Sequence, residues 1–328
     1  MKKLFVSMMV IMMFSICVMA AGCGAAEPSP TTPEATESEN KKEDKKLVIG
    51  VSMFGTANEG GMALADACYV VAEELGVEVK MLDANYDTNV QNANLETLIT
   101  NQVDGILLMP VDATGLSAGV DSVLAADIPI VGVNATLKEE DQAKLTSFSG
   151  SDDVMGGELI ANRVIGEIGG KGKVVHFQGI MGMSGQLNRS QGIEQVLSQN
   201  PDVELLAQKT ANWSRAEAMT IMENWIQSFG SDINGVIAEN DEMALGALQA
   251  LEQAGKSDVV VVGLDGLVDA FISIDAGKQN GTFIQDFENQ VREGMTALVK
   301  YLNGEDIETY YDVPFIEVTK DNVKQYIK

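Results

Sequence analysis

From Leu47 onward, short apolar runs alternate with longer stretches of helical period. The runs 47–54 (LVIGVSMF), 77–82 (VEVKML), 105–109 (GILLM) and 128–133 (IPIVGV) are rich in aliphatic and β-branched residues. Brief runs of this kind, mostly without polar alternation, predict strands buried on both faces, as in parallel sheets. Between them the periodicity predicts helices near 60–75, 88–101 and 114–126. After Gly150 the scheme restarts, with strands at 173–178 (KVVHFQ), 203–208, 235–238 and 259–263. Helices near 152–168, 185–199, 214–229 and 241–254 separate them, and the Met-rich spacing in 219–225 is that of a helix core. Two successive βα sets predict an α/β fold of two similar, doubly wound parallel-sheet lobes.

Ligands of such sheets sit beyond the carboxyl ends of the strands. The residues just after the apolar runs are Asn58, Asp112, Asn134, Gln178, Trp213, Asn240, Asp265 and Gln285. Amides and carboxylates are matched to neighbouring hydroxyls, and an indole face suits the C–H face of a sugar ring. The set contains no cation, so the chemistry it suggests is recognition of a neutral polyol. Asn240 or Asp241 is expected to cap the helix that follows, with Asp241 as the cap and Asn240 as the ligand contact. Asp112 fits a turn as well as a site.

The first 46 residues are of another kind. Lys2 and Lys3 precede an apolar run from Leu4 to Ala21, which contains Cys17. A cationic start followed by an apolar stretch is an export signal, although the run approaches the length of a membrane anchor. Ala20-Ala21-Gly22-Cys23 resembles a bacterial lipobox, which implies acylation of Cys23 and a lipid anchor on the extracytoplasmic face of the cell membrane. Residues 23–46, rich in Pro, Glu, Thr and Lys, cannot build a core and are expected to form a solvated tether.

Composition excludes several functions. Of 328 residues, 22 are Lys or Arg and 48 Asp or Glu, a formal charge of −26. That balance opposes a nucleic-acid backbone, whose affinity comes from cations. The positive signal and the slightly negative tether cancel, so the folded part carries all of the charge. One histidine and three cysteines cannot build a multi-His or Cys₄ metal site. Only Cys68 lies in the folded part, so no disulfide can form within it. His176, inside KVVHFQ, is expected to be a buried structural histidine, and without another histidine no Ser-His-acid triad is available. Gly179, Gly182 and Gly185 mimic a phosphate loop but lack the Gly-Lys-Ser/Thr that would follow. No enzyme and no cofactor is expected.

The stretches GVIAENDEMALGALQA (235–250) and AGKSDVVVVGLDG (254–266) closely resemble ribose-type periplasmic sugar-binding proteins of ABC importers. Further matches are PVDATGL (110–116), SDDVMGGELIA (151–161), GIMGMSG (179–185) and Gln285, so the likeness covers nearly all of 47–328. The resemblance implies a type I binding-protein fold whose two lobes, joined by a three-strand hinge, close on one sugar. It divides the chain into a signal (1–22), a tether (23–46), a first lobe (47–150 with 286–312) and a second (151–285 with 313–328). It also implies a monomer that hands a small neutral sugar or polyol to an ABC permease. The alternatives are a sensory protein presenting a sugar or furanose-like signal to a chemoreceptor or membrane kinase, and a nucleoside or glycoside as ligand.

Carried over by position, Trp213, Asn240, Asp265 and Gln285 are the second-lobe contacts, and Asn58 and Asn134 those of the first. Here the first lobe departs from the ribose pattern. Gly60-Gly61 replace adjacent phenylalanines, and Asn134-Ala135 replace an Asp-Arg pair. An expected arginine falls by counting on Leu187, with Arg189 close by as the candidate contact. The missing aromatic clamp implies a wider pocket.

Overall fold

The computed structural model describes residues 46–327. The export signal, Cys23 and its lipidation, and all but the last residue of the tether lie outside them.

The first half runs β1 (Val48–Met53), α1 (Glu59–Leu75), β2 (Glu78–Asp83), α2 (Thr88–Thr100), β3 (Gly105–Leu108), α3 (Ser117–Ala125), β4 (Ile130–Val133), α4 (Glu139–Gln142) and β5 (Ser147–Gly150). The second set is α5 (Asp153–Glu167), β6 (Gly172–Gln178), α6 (Ser184–Gln199), β7 (Val203–Thr210), α7 (Arg215–Phe229), β8 (Gly235–Ala238), α8 (Asp241–Gln253), β9 (Val260–Val262), α9 (Val268–Asp275) and β10 (Thr282–Ile284). The chain then returns through α10 (Phe287–Leu302), β11 (Tyr310–Asp312) and β12 (Ile316–Val318).

One sheet has the order β11-β5-β4-β3-β1-β2 and the other β7-β6-β8-β9, with every pairing parallel. β10 pairs antiparallel with β12 and is bridged to the end of β9. Strands β3, β4 and β8 are buried throughout, as runs of Ile, Leu and Val covered on both faces must be.

Small offsets from the predicted elements have local causes. Pro129 has no N–H to give the sheet, so β4 begins at Ile130. Asp112 accepts hydrogen bonds from the N–H groups of Thr114 and Gly115, and this turn delays α3 to Ser117. β5, Ser-Phe-Ser-Gly, is all buried yet contains no apolar run. Ser147 Oγ donates to Glu308 O, and Phe148 stacks on Tyr310 of β11 with ring centroids 5.9 Å apart. Its stability comes from the returning chain, which no local pattern encodes. Cys68 is buried in α1, and burial pushes its thiol up to about 12, which makes it a packing residue. Among the described residues, no helix is long and apolar enough to cross a membrane.

Candidate functional site

The strand ends of both sheets converge on a cavity of about 60 Å³. Asn58, Asn134, Arg189, Trp213, Asn240, Asp265 and Gln285 all line it. Asp112 and Gln178 do not: Asp112 holds its turn, and Gln178 Nε2 donates to Ser190 Oγ.

Arg189 is the centre of the arrangement. It is 5% exposed, whereas Leu187 is 44% exposed. The position reached by counting therefore points outward from α6, and the residue two further on points in. Arg189 Nε donates to Asp153 Oδ1 (2.8 Å), Nη1 to Glu239 O (2.6 Å) and Nη2 to Gln285 Oε1 (2.9 Å). Its guanidinium also lies 5.6 Å from the centroid of the Trp213 ring. Three of its five N–H groups are so engaged, and the others remain for a ligand and for Asp265 Oδ1, 3.9 Å from Nη1.

Gln285 Nε2 is buried without a partner. An unmet buried donor costs about 1–3 kcal/mol, and Gln285 is one of the residues that line the cavity. Asp265 complements it as an acceptor. Its carboxyl is buried, and burial pushes it well above the usual range, which Arg189 partly counters. Its backbone is held at φ 135°, a left-handed conformation that only surrounding structure sustains.

That surrounding structure is Asp241. Its Oδ2 accepts from Gly266 N (2.9 Å), Leu267 N (3.0 Å) and Thr282 Oγ1 (2.8 Å), and its Oδ1 from Gln279 Nε2 (3.1 Å). Asp241 thus braces the loop that carries Asp265 and is not the helix cap. The cap is Asn240, whose Oδ1 accepts from Met243 N at 3.0 Å, which leaves its amide nitrogen for a ligand. Asn58 does the same for α1, accepting from Gly61 N at 2.8 Å.

Trp213 sits at φ 59° and donates from Nε1 to Met183 Sδ at 3.4 Å. Its indole lies directly on Gly179, where an added Cβ would come within 1.9 Å of the ring. Gly179 therefore admits the tryptophan, and Gly182 turns at φ 95°. His176 is buried as expected, 3.0 Å from Glu239 Oε1, which also accepts from Ser190 Oγ (2.5 Å), while Glu239 Oε2 accepts from Gly179 N (2.7 Å). Among the described residues, no group of three or more His, Cys, Asp or Glu is placed to hold a metal.

On the first-lobe side, Asn134 (φ 68°) donates from Nδ2 to Gln290 Oε1 at 2.9 Å. Gln290 donates in turn to Ser151 Oγ, and Ser151 to Val313 O, so this contact is wired to segments that run between the sheets. Gly61 is required because a Cβ there would lie 2.2 Å from Gly55 O. The aromatic wall expected to be missing beside Gly60 is present, supplied by Phe54 and Phe287. Neither was foreseen. Asp153 and Met183, which also line the cavity, were not foreseen either. Asp153 follows β5, the strand without an apolar signature, and Phe287 lies only two residues past Gln285.

Residues 49–306 match the family described as periplasmic binding protein domain. The chain is 37% identical over 308 residues to a xylitol-binding protein of Mycolicibacterium smegmatis, covering 92% of this chain and 85% of that one. It is 32% identical to a ribose import binding protein of Bacillus subtilis, covering 93% and 96%. An ABC transporter solute-binding protein from Bacillus halodurans, solved with bound myo-inositol, superposes with a TM-score of 0.81 at 35% identity, covering 86% of this chain and 97% of that one.

Proposed function

The chain belongs to the periplasmic binding protein domain family, and from that premise we propose that it captures a small neutral sugar or polyol for an ABC importer. It is a binding protein and not an enzyme. The observation that carries the ligand class is the unpaired Gln285 Nε2 beside the Asp265 carboxylate and the free edge of Arg189, around one cavity. A hydroxyl donates and accepts at once, so a run of adjacent hydroxyls satisfies all three groups, whereas an apolar ligand leaves them unmet. In this reading Trp213 stacks on the ligand, Asn240, Asp265, Gln285 and Arg189 bind it from the second lobe, and Asn58 and Asn134 from the first.

The lobe division that fits this reading is 47–150 with 286–312 and 151–285 with 313–328. The chain passes between the two sheets at three places, near 150–153, 285–287 and 313–315. Closure of the lobes on the ligand gives the closed form its differential affinity, which a permease can read. Cys23, acylated, would hold the monomer at the outer face of the membrane.

Titrating the purified protein with ribose, xylitol, other pentoses, hexoses and inositols tests the ligand class. One of them at 100 times its dissociation constant should stabilise the fold by about 2.7 kcal/mol; no shift with any polyol would sink the reading. Asp265→Ala should lose at least about tenfold more affinity than Asn134→Ala, because it removes the acceptor from buried hydroxyls, whereas Asn134 is only half-buried and already gives an amide N–H to Gln290 Oε1. Equal losses by calorimetry would remove Asp265 from the site.

A further inference from the structure

Phe287 stands at the point where the chain passes from one lobe to the other. Its N–H donates to Gln285 O at 2.8 Å, and the N–H of Gln285 donates to Asp265 O at 3.0 Å, so the turn is tied to the second lobe. The helix it opens, α10, packs instead on α1 and on strands β3, β4 and β5 of the first sheet. The Phe287 ring covers Gly60, with Cζ 3.4 Å from where a Cβ of residue 60 would stand, and forms part of the cavity wall with Phe54.

From this placement, resting on the polyol reading above, we propose that Phe287 sets the size of the ligand. The polar groups around the cavity read hydroxyls, which every sugar and cyclitol presents. Discrimination by size needs a rigid apolar surface at a fixed distance from them. Gln285 and Phe287 are two residues apart, so the spacing between the hydroxyl-reading amide and the apolar wall is built into one turn. The ring packs over Gly60 at ordinary contact distance. Asp286 fixes the ring's base by accepting from Asn289 N at 3.0 Å as the cap of α10.

The test compares wild type with Phe287→Ala on ribose, xylitol, myo-inositol and an O-methylated inositol, by calorimetry. One apolar group in a pocket discriminates by roughly 10–200-fold. Phe287→Ala should therefore shift the affinity ratio of the O-methylated inositol to the best unsubstituted ligand by about tenfold or more toward the bulkier one. Adding Gly60→Phe to that variant should return the ratio toward wild type, because the new ring enters the vacated space. If Phe287→Ala does not fold, Phe287→Leu and Phe287→Trp carry the measurement, and they should shift the ratio in opposite directions. A ratio unchanged within twofold in the folded variants, with wild type still binding polyols, overturns the role of Phe287 alone. Wild type binding none of the four overturns the polyol reading and this inference together.

Discussion

Arg189→Met should abolish measurable polyol binding, a loss on the order of a thousandfold, and destabilise the unliganded fold by about 3–5 kcal/mol. The guanidinium is buried between Asp153 and Asp265 and holds Gln285 Oε1 and Glu239 O in place. Methionine fills a similar volume but leaves two buried carboxyls without their cation and two acceptors without a donor. Protonation of the carboxyls relieves part of that cost, so the stability loss should shrink in mild acid while the affinity does not return. Arg189→Lys separates the two roles. An ammonium keeps the charge but cannot reproduce three divergent N–H directions, so it should recover more stability than affinity. Denaturant unfolding and calorimetry on the three proteins check this. Binding within tenfold of wild type in Arg189→Met would mean that the ligand does not reach the guanidinium.

How far this site was legible follows from where its residues lie relative to apolar runs. Asn240, Asp265, Gln285 and Trp213 each follow a strand, and the strand-end rule finds them because a parallel sheet delivers its loops to one edge. Arg189 lies on a helix, one turn past its start, and its inward direction is set by the helix phase. Counting along a motif cannot resolve that phase, which is why Leu187 and Arg189 exchange places. Asp241 and Asn240 were exchanged for a related reason. Both are acceptable caps by type, and only the loop from Gly266 with Gln279 and Thr282, more than twenty residues away in sequence, gives Asp241 four donors and draws it away from the cap. Phe287 was invisible because the residue its ring lies against, Gly60, stands more than two hundred residues earlier. A missing side chain at 60 does not reveal what a distant segment brings to the same wall. Long-range substitution of one wall by another leaves no local signature.

Acidity should move the stability of the empty protein and its affinity in opposite directions. Burial raises Asp241 from 3.8 to about 6, against the four hydrogen bonds that lower it, and burial likewise raises Asp153 and, further, Asp265. A carboxyl whose folded pKa lies above its unfolded value adds stability that is complete below the unfolded pKa and is lost as pH rises through the folded one. For Asp241 that window runs from about 4 to about 6, and its width corresponds to roughly 3 kcal/mol. The net charge of −26 adds a contribution of the same sign, since protonation relieves mutual repulsion. The unliganded protein should therefore melt at a higher temperature at pH 5 than at pH 7. Ligand binding works the other way at Asp265. Hydroxyl donors bond its ionised form about twice as strongly as its neutral form, so a bound polyol lowers its pKa, and by linkage affinity weakens as pH falls. The ligand-induced rise in melting temperature should shrink as the solution is acidified. Asp265→Asn, which does not titrate, should flatten that dependence of affinity while the Asp241 share of the empty protein's pH profile persists. A melting temperature that falls steadily from pH 7 to pH 5 would contradict the buried-carboxyl account, and an unaltered affinity profile in Asp265→Asn would move the proton-linked contact to another residue.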